Sequence, residues 1–368
     1  MMIHGGTKTR TKHRGFLNVA VILLFVVTMT AENLRAEQGG PFASLTVDAS
    51  LASYNPQAQV TGALKIHGSD TMSPLMTRLA TEFQRRQPQV TINVKGGGSS
   101  KAVSEFLEPS IPGRIVLKEE RTNHFLLLAT SRELLDSEIK QFAAQHGYEP
   151  LAIPVAVDAV ALYVHKDNPL PGLTLDQVDA IFSTTRNRGF KTGIKQWGQL
   201  GLANGWAKGE IQLHGRDRKS GTRAFFQEHV LAGGEFAPNL QEHPGAASVI
   251  LALSRDQLGI GYSGFGLQAS AVRMVPLAED EGMPFISPSS ATVADQTYPL
   301  RRILYVYLDK SPKSPLPPAA QEFLMFMTSR EGQEAVVRAG FFPLPMNQVT
   351  KNFVSLGTTP TSGRSAGQ

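Results

Sequence analysis

Three short runs in the sequence set hydroxyls, glycines and a guanidinium where a loop hands over to a helix. In Ile66-His67-Gly68-Ser69-Asp70-Thr71-Met72, the residue Met72 opens an apolar series continued by Leu75, Met76, Leu79 and Phe83 at helical spacing. Ser69, Asp70 and Thr71 therefore fall at a helix N-cap region. The second run, Gly96-Gly97-Gly98-Ser99-Ser100, separates a strand-like stretch from a short helical segment with Val103, Phe106 and Leu107. Its glycines let backbone come close to a ligand. The third run extends from Arg216 to Arg223 and holds Ser220, Gly221 and Thr222 at a helix start, beside a cluster of cations. Backbone N–H groups at a helix N-terminus, the positive end of the helix dipole and adjacent hydroxyls together bind an anion without a metal. One such run is an ordinary cap and turn; three of them suit a tetrahedral oxyanion.

The elements that carry these runs follow from periodicity. Strand-like stretches at Ala63 to His67, Val90 to Lys95, Ile211 to His214 and Ile303 to Leu308 alternate with segments of helical period, the pattern of an α/β fold. A folded part of about 290 residues starting near Gly62 exceeds what one core usually holds, so two lobes are expected. Residues 37–61 are small and polar and read as a linker or loosely docked arm. Residues 351–368, rich in Ser, Thr and Gly from Thr358 onward, are expected to form a disordered tail.

The first residues combine Lys8, Arg10, Lys12 and Arg14 with an apolar block from Phe16 to Met29. The block is shorter than the roughly 20 residues of a spanning helix, so residues 1–36 read as a cleaved secretory signal peptide. With no cysteine in the chain, disulfides, thiolate metal ligands and a lipid-modified N-terminal Cys are excluded. The formal net charge of +5 resides mostly in the leader: without residues 1–36, Lys and Arg number 31 against 30 for Asp and Glu, a net +1. A near-neutral mature chain gives no argument for a nucleic-acid partner. The nine histidines show no zinc spacing such as H-E-x-x-H, so neither a metal nor another cofactor is expected. Trp197 and Trp206 read as packing residues, and no G-x-S-x-G elbow is present.

The chain resembles the phosphate-binding proteins of ABC importers, within the type II periplasmic binding protein superfamily, from about Leu64 to Leu344. The resemblance rests on Gly68 to Met72 with Pro74-Leu75, on Gly96 to Ser100, and on Pro154 to Asp158 followed by Asn168-Pro169. It continues through Leu173 to Leu175, Ile181 to Ser183, Trp197, Ser220 to Arg223, Gly259 to Tyr262 and Tyr298 to Arg302. It implies a two-lobed α/β fold with the ligand in a cleft crossed by two hinge strands, near Pro150 to Val155 and Tyr262 to Phe265. Lobe 1 would comprise 62–150 and 264–350, and lobe 2 would comprise 155–260. Family ligand contacts map onto Ser69, Thr71 and Met72, onto Ser99 or Ser100, and onto Arg216, Ser220, Gly221 and Thr222. The implied protein is a periplasmic monomer that captures phosphate or a similar oxyanion and delivers it to an ABC permease in the inner membrane. The other readings of the same fold are a phosphate-ester hydrolase using Ser69 or Thr71, and a surface protein that holds phosphate without transporting it.

Two departures from the family pattern bear on the ligand. Family members usually carry an Asp a few residues before the pair matched by Ser131-Arg132, where it accepts the proton of hydrogen phosphate. Here that stretch, Phe125 to Thr130, has no carboxylate. The segment from Glu105 to His124 is also longer than usual and contains Glu119 and Glu120, which read as solvated charges or as a replacement acceptor. Arg302, at the start of a strand, is expected to lie away from the cleft.

Overall fold

Alternation in Gly62–Gly68 turns Leu64 and Ile66 inward, which makes this segment strand β1. The computed structural model describes residues 45–56, 58–108 and 124–357. The expected signal peptide, Glu119, Glu120 and the tail from Thr358 lie outside the described residues. Helix α1 (Ser73–Gln84) follows β1 and buries Leu75, Met76, Leu79 and Phe83, the stripe expected from its periodicity. Next come β2 (Val90–Lys95), α2 (Ser99–Phe106), β3 (His124–Thr130), α3 (Asp136–His146) and β4 (Leu151–His165). They are followed by β5 (Leu173–Thr174), α4 (Leu175–Phe182), β6 (Gln212–Arg216), α5 (Gly221–His229), β7 (Gln241–His243), α6 (Ala246–Leu253) and β8 (Gly259–Gly264). The described chain closes with β9 (Val272–Met274), β10 (Leu277–Ala278), α7 (Ser290–Ala294), β11 (Arg301–Leu308), α8 (Pro318–Thr328), α9 (Arg330–Arg338) and α10 (Met346–Ser355).

The strands form one curled sheet in the order β2-β1-β3-β11-β4-β8-β6-β7, with β9 added to β4 and a separate β5-β10 pair. β4 explains how one sheet serves both halves. At 15 residues it extends for about 50 Å at about 3.3 Å per residue. Its residues from Leu151 to Ala159 pair with β11, and those from Val160 to Val164 pair with β8. The handover falls at Ala159–Val160, beyond the Pro150 to Val155 stretch expected from sequence. On one side, β1 runs parallel to β2 and β3; on the other, β6 runs parallel to β7 and β8. Loops at the carboxyl ends of β1, β2 and β6 thus lead into helices, as the three runs require.

Phe83 of α1 packs against Phe323 and Phe326 of α8, with ring centroids 5.2 and 5.6 Å away. The segment read from sequence as a linker has a docked part. Leu51 is buried, the Tyr54 ring meets Phe326 edge-on at 5.3 Å, and the Tyr54 hydroxyl donates to Glu322 at 2.6 Å. Two apolar anchors are too few to give a periodic signal. Residues 351–355, expected to belong to the tail, are part of α10, which continues to Ser355 and buries Asn352 and Phe353. Asn352 Nδ2 donates to the Pro154 carbonyl at 2.8 Å, so a polar residue anchors this turn.

Candidate anion site

The first loop is set by backbone geometry. Ser69 N–H donates to the Ala129 carbonyl at 2.9 Å as the chain leaves β1, and Met72 N–H donates to the Ser69 carbonyl at 3.1 Å as it enters α1. Ser69 and Met72 are buried, Thr71 is half-buried and Asp70 is exposed. Asp70 braces the loops: its Oδ1 accepts the Gly97 N–H at 2.7 Å. In the second loop, Gly98 has φ +98°, a left-handed backbone that favours glycine, and its N–H donates to the Gly68 carbonyl at 3.0 Å. Ser99, the first residue of α2, is buried, and its Oγ accepts the Ser131 N–H at 3.2 Å.

The third loop approaches these two from the other side of β4. Ser220 caps α5, its Oγ accepting from the N–H groups of Thr222 at 3.2 Å and Arg223 at 3.4 Å. Three contacts join it to the first two loops. The hydroxyls of Thr71 and Thr222 lie 3.2 Å apart, and Ser100 N–H donates to the Lys219 carbonyl at 3.1 Å. The third contact is at Gly221, where a Cβ would collide with the hydroxyls of Ser99 and Ser131. A side chain there would fill the space where the loops converge.

Arg216 ends β6 just before this loop. It is 1% exposed, and its Nε and Nη1 are buried without a partner in the protein. Burial, and next the charge of Arg302, pull the Arg216 guanidinium below its ordinary range, while Asp70 and Asp217 act in the opposite direction. A buried guanidinium with two idle donors is costly unless an anion takes them.

The structure thus brings together Ser69, Thr71, Met72, Ser99, Ser100, Ser220, Gly221 and Thr222 around one convergence of loops, and the charge of Asp70 in the first loop acts on Arg216 at the end of β6. Ser131, named from sequence only as half of the pair with Arg132 and not as a ligand contact, has its hydroxyl 3.3 Å from that of Ser99. Its partner in the pair, Arg132, turns away to Glu138, with two hydrogen bonds of 2.7 Å. The placement of Arg302 away from the cleft is a correction. Arg302 is the second residue of β11, but it is buried, acts on Arg216, and holds Asp158 through Nε at 3.0 Å and Nη2 at 2.6 Å. The strand register sets Arg302 opposite Asp158, a pairing that spans 144 residues of sequence and has no local signal.

A model of the PBP superfamily domain matches residues 53–331. The chain belongs to the PBP superfamily. Phosphate-binding protein PstS of Pseudomonas aeruginosa is 43% identical over 324 residues, covering 88% of this chain and 96% of that protein. A Bacillus subtilis protein of the same description is 26% identical over 298 residues, covering 80% and 85% respectively. Among solved structures, an ABC-type phosphate transport receptor from Vibrio cholerae superposes with a TM-score of 0.57 at 22% identity, covering 77% of this chain and all of that one. A substrate-binding protein from Clostridium perfringens with bound phosphate reaches 0.58 at 24% identity, with coverage of 77% and 100%. The fold is the two-lobed α/β fold of this superfamily, as expected from sequence. No helix among the described residues is long and apolar enough to cross a membrane.

Proposed function

We propose that the protein captures inorganic phosphate, or a similar tetrahedral oxyanion, and delivers it to an ABC permease in the inner membrane. The observation that carries this reading is the buried Arg216, with Nε and Nη1 unpaired beside three helix-opening loops. A guanidinium presents paired donors to two oxygens of an oxyanion. Ser69, Thr71 and Met72 would contribute from the first loop, Ser99 or Ser100 from the second, and Ser220, Gly221 and Thr222 from the third. The name of the 43% identical relative supports phosphate as the ligand.

The lobes expected from sequence, 62–150 with 264–350 and 155–260, shift at their boundaries: we place one hinge where β4 changes partner at Ala159–Val160 and the other just before β11, because β9 pairs with β4 at Tyr163–His165 and β10 pairs with β5. Contacts from both sides of β4 mean that ligand favours the closed form. We place the mature chain in the periplasm as a monomer after loss of residues 1–36. The reading is non-enzymatic, and a chromogenic phosphate ester should show no turnover.

Selectivity follows from the site's acceptors. Among the described residues, β3 offers no carboxylate, and Asp158 is engaged by Arg302. Hydroxyls such as those of Ser99 and Ser131 would accept the hydrogen phosphate proton. Because a hydroxyl accepts from phosphate and donates to sulfate equally well, discrimination should be weak. Calorimetry tests both parts: phosphate should bind without added metal, and sulfate should displace it. Failure of phosphate to bind would remove the functional reading; failure of sulfate to displace it even at about a thousandfold excess would remove the selectivity reading.

A further inference from the structure

Two buried guanidinium groups act on each other across the sheet: the charge of Arg302 is felt at Arg216, and Arg302 itself lies over Phe225 of α5. Arg216 closes β6, and Arg302 is 4% exposed at the start of β11. Arg302 gives Nε and Nη2 to one oxygen of Asp158, while its Nη1 is buried without a partner in the protein. Its Cζ lies 5.4 Å from the centroid of the Phe225 ring. Phe225 belongs to α5, the helix whose first residues are Gly221 and Thr222. Arg302 therefore reaches from a strand on one side of β4 to the helix that opens the site on the other.

A buried ion pair with no further task would place its cation away from other cations and satisfy its donors. This one does neither. After burial, the charge of Arg302 is the strongest influence on Arg216, and both guanidiniums keep idle donors. Two buried positive charges face a single buried carboxylate, Asp158. Of the other carboxylates acting on Arg216, Asp70 is exposed and tied to Gly97 N–H, and Asp217 is tied to Lys219 N–H. Among the buried groups alone, cations outnumber carboxylates two to one, and Asp70 and Asp217 act on Arg216 from more exposed positions.

We propose that Arg302, oriented by Asp158, is a specificity-determining residue whose buried charge makes the site select the doubly charged form of a tetrahedral oxyanion over the singly charged form. The inference rests on the reading of the Arg216 cleft as the oxyanion site. The second negative charge is where Arg302 acts: a unit charge several ångströms away, at an effective dielectric constant of about 20, changes affinity by about tenfold or more.

The test is calorimetry on the mature protein with phosphate and sulfate at about pH 6 and about pH 8, between which phosphate gains its second charge. Sulfate carries two charges at both pH values, so it controls for titration of the groups facing the two arginines, namely Asp70, Asp217, Tyr262, His229 and Arg223. The wild type should bind phosphate about tenfold more tightly at the higher pH and bind sulfate equally at both. Arg302→Gln removes the cation and leaves Asp158 an amide donor, so the net charge beside the site falls by one. It should lower sulfate affinity about tenfold or more and shrink the pH preference for phosphate, with thermal stability as the control for folding; adding Asp158→Asn restores the net charge and should recover most of the affinity. Arg302→Lys keeps the charge and should keep the preference.

A folded Arg302→Gln variant that retains both sulfate affinity and the pH preference would overturn the proposal. So would Arg302→Lys losing the preference. A wild type with no preference overturns it without any variant. A wild type that binds neither anion defeats the oxyanion reading itself.

Discussion

Replacing Arg216 with methionine should separate binding from folding. The side chain is buried, its Nε and Nη1 have no protein partner, and Arg302 adds repulsion. A bound oxyanion would take two charge-assisted hydrogen bonds, each contributing about 1.5–3 kcal/mol. Their loss is partly offset because the variant no longer holds a desolvated cation, leaving a net loss of about 3 kcal/mol, or about 100-fold in affinity. In the unliganded protein the same change removes an unpaired buried charge, so stability should hold or rise. Calorimetry gives the affinity, and thermal unfolding with and without phosphate gives both stabilities. At a phosphate concentration of about 100 Kd, the wild type gains about 2.7 kcal/mol, and the variant at that concentration gains about 0.4 kcal/mol. For a folded part of about 300 residues these correspond to melting shifts of about 4 °C and under about 1 °C. An affinity change below about threefold, or an unliganded variant melting several degrees lower, would refute this account of Arg216.

Gly98→Ala should weaken phosphate binding about tenfold or more, because its Cβ collides with the Lys219 carbonyl across the loop convergence and φ is +98°. Small-angle scattering should show compaction with phosphate in the wild type and less in this variant. Gln333→Leu should destabilise the fold by about 3 kcal/mol or more while leaving the phosphate affinity of the folded protein within about threefold. Its amide serves the Val155 and Met327 carbonyls and the Leu344 N–H at 3.1, 2.7 and 2.8 Å, and denaturant titration reads the loss. Acid should weaken the fold through His243, which burial, and next His214, hold below the usual histidine range. The unfolded chain then binds the proton more readily, so this contribution is complete above about pH 6.5 and is lost as pH falls. Melting at about pH 8 and about pH 5.5 should show His243→Gln losing less than the wild type.

What was legible in the sequence lay in local patterns. The apolar stripe of α1, the strand at Val90 to Lys95 and the three loop-to-helix runs depend on residues a few positions apart, so local pattern specifies them. Of the three helix starts, however, only that of α5 is capped by a side chain, Ser220, while Met72 and Gly98 stand at the other two N-caps. The resemblance added the two-lobed fold and the nine candidate contacts. Contacts between distant segments were not legible. Leu51 and Tyr54 dock on residues about 270 positions later, and α10 is anchored by Asn352 at the Pro154 carbonyl. Ser131 looks like any serine after a strand until Gly221 closes against it. Arg302 shows why the limit is physical. As part of a strand sequence it is an arginine at a strand start, and only the register between β11 and β4 sets it against Asp158. Only the tertiary fold lays it over Phe225 of α5 and brings its charge to bear on Arg216. The sequence by itself determined which helix starts could hold an anion. The tertiary structure decided which buried charges surround it, because electrostatic energy depends on distances in space that the chain order does not encode.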